Sequence, residues 1–430
     1  MSCPFRIKTV IVGTGERLPM LIERATGLPK FDATVYILSM VRGRNLATNT
    51  ITHHLAAIES LLLFCEIEGI DLDERIKTGR LLTLEEIAAL SRAVRRPIDQ
   101  LVALCSKPIE TRDKSLVQAK IISLEKFRQG NPSQFEAAVH QATGANRLRV
   151  IRSFLGFISL RHQAKLTNPS EAYLCYDEAR RIMLDVIAGH IPPSKNKSQR
   201  EGMSDEHRAK LESMISPESQ ENPWFGDHVR RRNRLIVRFL LDLGIRRGEL
   251  LALRVEDIKL QTLRLEILRR PDDPRDPRVK QPTAKTQARI LPISTSLAEL
   301  AQDYILNFRA TLRGAKRHGF LFVDSDHGRP LSESAINKLF RELREAAGDA
   351  FGDLSAHVLR HSWNDHFSQI MEKRKVPASD EEKQRSYLMG WRDGSGRAAT
   401  YTKRYTRKRA EEASLAMQSE IMQGTKSDDN

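Results

Sequence analysis

Apolar residues recur at the spacing of amphipathic helices in the N-terminal half of the chain. In the stretch 48–70 a Thr/Asn cap precedes apolar residues that share one helical face. That face holds Ile51, Leu55, Ile58, Leu62 and Cys65. Thr83 stands three residues before Glu86, which is the spacing of a capping box at a helix start. The pattern therefore predicts an almost purely helical N-terminal half.

The pattern changes after a proline-led polar stretch, residues 191–202, which has no apolar periodicity and predicts a linker. Beyond it, apolar helical segments are followed by two short runs, 262–268 and 288–294, that alternate as strands do. The Pro/Asp/Arg-rich loop between these runs is too polar to be core. From 297 to near 423 the pattern is again mostly helical.

Together these patterns predict a mainly α protein with a small antiparallel β-sheet. The first domain is helical and carries additional helices, and the second is mixed α/β. The predicted boundaries are an N-terminal extension at 1–29, the helical domain at 30–190, the linker at 191–202, the second domain with its C-terminal helix at 203–423, and a disordered tail at 424–430.

The charge of the chain points to a partner. With a formal net charge of +15 it is expected to bind a polyanion, most commonly nucleic acid. No run approaches the roughly 18 consecutive apolar residues of a membrane span, and the N-terminus lacks the regions of a signal peptide. The four cysteines include no CxxC pair, so a reducing, cytoplasmic setting is expected, with neither disulfides nor zinc.

Three arginines interleave with apolar residues in the helical stretch 146–160. Arg147, Arg149 and Arg152 alternate there with Leu148 and Ile151. Two interpretations are open: a solvated helix face, or a surface that faces DNA phosphates. In a basic protein made of short helices, the three arginines are candidate DNA-binding residues.

Two histidines lie four residues apart in "HVLRH", so their rings share one helix face. His357 and His361 thus first suggest a zinc site. A metalloprotease helix would also need Glu directly after the first histidine, and Val358 stands there instead. Arg360 lies between the two histidines, and the sequence shows no obvious metal cluster around them.

Five segments that contain candidate catalytic residues follow one another along the second half of the chain. They are "GIRRGELLAL" with Arg246, "KTQARILP" with Lys285, "HVLRH" with its two histidines and arginine, "LMGW" ending at Trp391, and "AATY" ending at Tyr401. In this order they closely resemble the tyrosine recombinase (phage integrase) family. Its catalytic domain carries an Arg in a G-L-R-x-x-E-L segment, a hairpin Lys, an H-x-x-R-H box, L-G-H/W and a Tyr. The stretch 46–70 is similar to the family's helical core-binding domain.

The resemblance implies a helical core-binding domain followed by a mixed α/β tyrosine-recombinase catalytic domain, and it implies roles. Arg246 and Arg360 would neutralise the charge that a phosphoryl group gains in the transition state. Lys285 would protonate the 5′-oxygen as it leaves. His357 would bond the phosphate and help to accept the proton of the tyrosine.

The resemblance also implies supporting residues around that group. His361 and Glu249 would position the others. Trp391 stands where many relatives have His, and its indole N–H would donate one hydrogen bond to the phosphate.

Alternatives remain at three of these positions. Tyr401, ten residues after Trp391, is favoured as the nucleophile, but Tyr405 lies in "TKRYT", which also resembles the family's tyrosine segment. Lys280 is a distant alternative to Lys285. Arg247 neighbours Arg246, and the family pattern favours Arg246.

The function implied by the resemblance is site-specific DNA recombination through a 3′-phosphotyrosine, without a cofactor or metal. The implied partners are double-stranded DNA, further copies of the chain in a tetramer joined through the C-terminal helix, and accessory DNA-bending proteins. Arg404 and Arg407, in the basic start of that helix, would contact DNA, and the protein would act in the cytoplasm at the nucleoid. Two rival functions stay open: a catalytically silent DNA-binding protein of the same fold, and a type IB topoisomerase.

Overall fold

The structure is a computed structural model that is mostly helical with small antiparallel sheets, which confirms the predicted fold class. It describes residues 3–44, 48–106, 138–193, 202–282, 284, 286–392 and 394–424. The chain forms two compact units, residues 1–197 and 198–430. Most of the predicted linker and tail, at 194–201 and 425–430, lies outside the described residues.

The first unit contains a β-hairpin followed by helices. Its elements are β1 (Phe5–Ile11), β2 (Arg17–Glu23), α1 (Phe31–Tyr36), α2 (Thr48–Glu68), α3 (Leu72–Thr78), α4 (Leu84–Ala93), α5 (Ile98–Cys105), α6 (Gln141–Gln163) and α7 (Glu171–Gly189). The capping box predicted at Thr83 and Glu86 is present at the start of α4.

The hairpin corrects the expectation of an almost purely helical N-terminal half. Strands β1 and β2 pair antiparallel along their whole length. Phe5 and Leu21 are buried in the same core as helix α2, so the hairpin is part of this unit and not a separate extension. The inward face of β2 also holds Arg17, which is fully buried and donates to the Gly15 carbonyl at 2.7 Å. A charged residue at an inward position hides the alternation that would have predicted the strand.

Helix α2 is the central helix of this core. Four residues of its predicted apolar face are buried, with Ile51, Leu55 and Ile58 fully inaccessible, and Leu62 is half-buried. By length and mean composition the helix is apolar enough to cross a membrane, and 61% of its most apolar stretch is buried inside the structure. A single such helix is weak evidence for a membrane span, because core helices have the same composition.

The second unit is also mainly helical, with one three-stranded antiparallel sheet in the order β3-β4-β5. Its elements are α8 (Asp205–Met214), α9 (Asp227–Leu243), α10 (Arg247–Ala252), β3 (Ile258–Lys259), β4 (Arg264–Ile267), β5 (Arg289–Pro292), α11 (Thr295–Asp303), α12 (Glu333–Ala347), α13 (Ala356–Lys373), α14 (Ala378–Met389) and α15 (Arg397–Gly424). In the sheet, Leu265 pairs with Leu291 and Ile267 with Arg289.

The polar loop between β4 and β5 differs from its prediction as a non-core segment. Asp273 and Asp276, which belong to it, are buried, at 7% and 3% exposure. Each carboxylate accepts from an arginine: Asp273 from Arg254, and Asp276 from Arg278 at 2.8 Å. Buried charges are tolerated when they are paired, so the composition of the loop conceals its burial.

Candidate active site

Arg246 lies at the start of α10, directly after the turn that ends α9. It is the N-cap residue of α10, and its backbone N–H donates to Glu249 Oε2 at 3.0 Å. Its guanidinium Nη1 lies 3.4 Å from Glu249 Oε1. Arg247, the neighbouring alternative, instead donates to Asn337 at 2.7 Å and Glu333 at 3.0 Å. The two adjacent arginines therefore have different surroundings.

Glu249 is the buried anion of this region, and its side chain is 0% exposed. It also accepts from Arg289 Nη2 at 2.8 Å and from the hydroxyl of Thr286. Burial opposes ionisation, but the charge of Arg289 and the hydrogen bonds from Arg289 and Thr286 keep the pKa of Glu249 below its usual value. Glu249 is thus a carboxylate at neutral pH and compensates the surrounding arginines.

Arg360 is buried in the first turns of α13, at 3% exposure. Its guanidinium donates to the carbonyls of Gly244 and Met389, and its Cζ lies 5.5 Å from the ring centroid of Trp391. Burial, and then repulsion from Arg246, lowers the pKa of Arg360 to about 9. The residue is therefore still a cation at neutral pH.

The two histidines of the H-x-x-R-H box face each other on α13. Nε2 of His361 lies 3.1 Å from Nε2 of His357, and the ring of His361 is 5.5 Å from that of Tyr401. His357 is exposed and His361 is half-buried. Across the described ranges, no group of three or more His, Cys, Asp or Glu side chains has an arrangement that could hold a metal ion.

Tyr401 stacks on Trp391. Their ring centroids are 5.5 Å apart and the rings are nearly parallel, at 15°. The indole Nε1 of Trp391 is buried and has no hydrogen-bond partner in the described part of the chain. Burial raises the pKa of Tyr401, and the positive charges of Arg360, Arg246 and further arginines oppose that rise. A tyrosine thus lies among cations that would stabilise its anion.

Tyr405 lies one turn later on α15 in a different environment. Its hydroxyl donates to Glu372 Oε2 at 2.6 Å. Burial and this carboxylate raise the pKa of Tyr405 to about 12. The carboxylate disfavours a phenolate here, whereas arginines favour one at Tyr401.

The contacts link six of the predicted residues into one group, which we call the Tyr401 cluster. It consists of Arg246, Glu249, Arg360, His361, Trp391 and Tyr401. His357 adjoins it through His361. Lys285 lies outside the described residues, and its alternative Lys280 is exposed.

The predicted DNA-binding arginines of the first unit make contacts within that unit. Arg147 donates to the carbonyls of Val94 and Arg96 at 2.9 and 2.7 Å. Arg152 donates to a carbonyl of α7 at 2.8 Å, while exposed Arg149 donates to its helix neighbour Asn146 at 2.7 Å. Arg147 and Arg152 therefore bond neighbouring segments, although the side chain of Arg152 is 42% exposed, and Arg149 is exposed.

The arginines predicted on the C-terminal helix are only partly described. Arg407 is 57% exposed and lies 3.4 Å from Glu411, one turn away on the same helix. The side chain of Arg404 lies outside the described residues.

Sequence reasoning missed several residues that hold the Tyr401 cluster in place. Arg289 on β5 donates to Glu249, to Thr286 at 3.1 Å and to the Leu388 carbonyl at 2.7 Å. Arg385 on α14 is fully buried, with its Cζ 5.9 Å from the ring centroid of Tyr401. One sequence signal could have found Arg289: it is a charged residue at an inward-facing position of an alternating strand.

Comparison with known proteins identifies a family and relatives that this chain resembles. Residues 219–411 match the phage integrase family. Tyrosine recombinase XerD of Halalkalibacterium halodurans is 28% identical over 145 residues, covering 34% of this chain and 43% of the relative. Transposase A from transposon Tn554 of Staphylococcus aureus is 24% identical over 247 residues, covering 56% of this chain and 62% of the relative. The chain thus spans about half the length of the curated relatives it matches.

Solved structures with similar chains include two recombinase complexes. The Tn1549 transposon integrase in complex with transposon right end DNA is 14% identical, with a TM-score of 0.47, covering 90% of this chain and 99% of that one. XerH recombinase bound to palindromic difH substrate is 16% identical, with a TM-score of 0.39, covering 78% and 97%. The family match itself covers the whole Tyr401 cluster. The second unit of this chain therefore carries a phage integrase family domain, at residues 219–411.

Proposed function

We propose that this protein is a site-specific DNA recombinase that cleaves and rejoins strands through a 3′-phosphotyrosine made by Tyr401. The observation that carries the proposal is the convergence of a tyrosine with two arginines from distant elements. Arg360 lies against Trp391, Trp391 stacks on Tyr401, and the charge of Arg246 acts on the same phenol. This is the arrangement that phosphoryl transfer to a tyrosine requires.

The chemistry assigns a task to each member of the cluster. The phenol oxygen of Tyr401 would form a bond to phosphorus as the bond to the 5′-oxygen breaks. Arg246 and Arg360 would donate to the non-bridging oxygens, where negative charge accumulates. The Nε1–H of Trp391, which has no partner among the residues that the structure describes, would supply one more donor, and binding a phosphate would satisfy it.

Proton transfer is assigned to groups at the edge of the cluster. His357, exposed and 3.1 Å from His361, would take the proton of the tyrosine and return it on rejoining. Lys285, proposed from the family resemblance, would protonate the leaving 5′-oxygen. The covalent phosphotyrosine conserves the energy of the broken bond, so this chemistry needs neither water nor a nucleotide cofactor.

The substrate and partners in this proposal follow from charge and from the relatives. The chain carries a net charge of +15, and one of its relatives is Transposase A from transposon Tn554. We therefore infer double-stranded DNA of a mobile element as the substrate and a tetramer on two duplexes as the active form. Accessory DNA-bending proteins and a cytoplasmic site of action at the nucleoid belong to the same proposal.

The test is a nicked suicide duplex, in which the short cleaved fragment diffuses away and traps the intermediate. The full chain should form a covalent adduct that withstands denaturing gel electrophoresis, and EDTA should have little effect on its yield. Arg360→Ala should lose several orders of magnitude in cleavage rate, roughly the loss of a transition-state donor or more.

Two results would redirect the proposal. Tight DNA binding without any adduct would indicate a catalytically silent DNA-binding protein. Adduct formation with relaxation of supercoiled plasmid, but no exchange between paired sites, would indicate a type IB topoisomerase.

A further inference from the structure

A second basic site lies in the second unit and shares no residue with the Tyr401 cluster. It is a cleft of about 630 Å³. Five arginines from three chain segments line it: Arg275 and Arg278 from the loop between β4 and β5, Arg313 and Arg317 from the turn after α11, and Arg329 from the turn before α12. In sequence these residues look like unrelated surface charges, and only the fold brings them together.

One arginine of the cleft, Arg278, has its charge compensated by a carboxylate and holds the lining in place. Arg278 lines the cleft and is bound by Asp276 at 2.8 Å. It also donates to the carbonyls of Leu251 and Leu331 at 3.0 and 2.8 Å, and its Cζ lies 4.5 Å from the ring centroid of Phe320. This network anchors the β4–β5 loop, and Arg275 with it, to the rest of the unit.

The segments 313–320 and 327–330 form the walls of the cleft, and several of their backbone carbonyls already accept hydrogen bonds from side chains. Buried Arg309 donates to the carbonyls of Phe320, Ala315 and His318, at 2.8 to 2.9 Å. Nε2 of His318 lies 2.8 Å from the Gly328 carbonyl. Carbonyl oxygens repel anions, so occupying them makes the walls more favourable to a negatively charged ligand.

Two wall segments are in direct contact at glycines. A Cβ on Gly314 would lie 1.8 Å from the carbonyl oxygen of His327, and one on Gly328 would lie 2.5 Å from the amide nitrogen of Ala315. Only glycine permits this approach. The residues adjoining the two glycines, Arg313 and Arg329, are thereby held on the same cleft.

The arginines of the rim are available to a ligand. Within the described part of the unit, Arg313, Arg317 and Arg329 are exposed and make no ion pair with an acidic side chain. Arg275 is 71% exposed and reaches Asp273 only at 3.5 Å. Like charges held together on a concave surface repel each other, and a bound anion relieves that repulsion. Guanidinium groups match phosphate oxygens in geometry as well as charge.

We propose that this cleft is a second phosphate-binding site, distinct from the cleavage site, which takes backbone phosphates of nucleic acid. The ligand class rests on the proposed function, since DNA is the polyanion that the protein would meet. The site would position the duplex relative to the Tyr401 cluster without taking part in bond breaking. Backbone contacts of this kind fix register and carry no sequence information.

The experiment measures duplex binding by the full chain as salt is raised, in a Tyr401→Phe background that cannot form the adduct. Arg313→Gln combined with Arg317→Gln removes two charges from the cleft. The matched control, Lys210→Gln with Lys383→Gln, removes two charges from exposed positions on α8 and α14. The slope of log K against log salt should weaken by about two for the cleft pair, because each phosphate contact contributes about 0.9. The control pair should change it by much less.

The possible outcomes either support or overturn the proposed phosphate site. Equal changes in slope for both pairs, or none for the cleft pair, would overturn the site and leave the proposed function intact. Replacing the same two arginines with lysine should recover most of the slope, because charge is restored. If the cleft pair changes the slope while the wild-type chain forms no adduct on the suicide duplex, the phosphate site stands and the proposed cleavage fails.

Discussion

Replacing Glu249 with glutamine perturbs the Tyr401 cluster at its one buried anion. The substitution keeps the size of the side chain and removes the charge. The carboxylate lies 2.8 Å from Arg289 and 3.4 Å from Arg246 and accepts from Thr286. A glutamine amide would leave both guanidiniums without their anion and place N–H donors against N–H donors.

The size of the effect follows from burial. Breaking a buried ion pair by removing one partner costs about 3–5 kcal/mol, because the remaining charge is desolvated without compensation. A matched control is Glu333→Gln, since Glu333 pairs with Arg247 at 3.0 Å with both side chains about one third exposed. Such a pair contributes about 0–1 kcal/mol. Glu249→Gln should therefore cost roughly 2–5 kcal/mol more than its control.

The assay is urea unfolding followed by tryptophan fluorescence at pH 7. The chain has three tryptophans, Trp224, Trp363 and Trp391, and all lie in the second unit, so the signal reports that unit. Circular dichroism of the same samples would follow both units together.

The pH dependence of the stability difference between wild type and Glu249→Gln provides a second check. The folded-state pKa of Glu249 is lowered, so its stabilisation is complete above the unfolded pKa of about 4.3 and is lost as pH falls through the folded value. The stability gap between wild type and Glu249→Gln should therefore narrow in acid. A cost no larger than that of Glu333→Gln, or a gap that widens as pH falls, would refute the reasoning.

Three further predictions concern the edges of the site. Gly390→Ala should destabilise the second unit by about 1–3 kcal/mol in the same fluorescence assay, because φ is +64° and the new Cβ would lie 2.9 Å from the Gln287 carbonyl oxygen. Tyr405→Phe should leave the rate of adduct formation nearly unchanged, because it removes only an exposed hydrogen bond to Glu372. Truncation after Arg409 should spare binding to a single site and abolish cooperative occupancy of paired sites in a gel-shift assay, if the C-terminal helix docks on a neighbouring copy.

The helical part of the site could be predicted from sequence because local spacing determines it. Positions 357, 360 and 361 share one face of any helix, and the structure has that helix. The partners of Glu249 could not be found in this way. Thr286 and Arg289 lie 37 and 40 positions away in the chain, and only the antiparallel pairing of β4 with β5 brings them in.

Local spacing also cannot decide which of the two tyrosines is the nucleophile. Tyr401 and Tyr405 are four residues apart on one helix, so periodicity gives them similar orientations. Their chemistry differs because one lies among arginines and the other donates to Glu372. That difference arises from packing against α13 and α14 and leaves no local trace in the sequence.

The central claim is that Tyr401 is the nucleophile, and the most direct test identifies the residue that carries DNA. The adduct formed on the nicked suicide duplex is digested with nuclease and protease, and the modified peptide is sequenced by mass spectrometry. We predict a nucleotide-bearing phosphotyrosine at Tyr401, with Tyr405 unmodified and with no adduct from Tyr401→Phe. A modification at Tyr405, or an adduct that persists in Tyr401→Phe, would contradict the account.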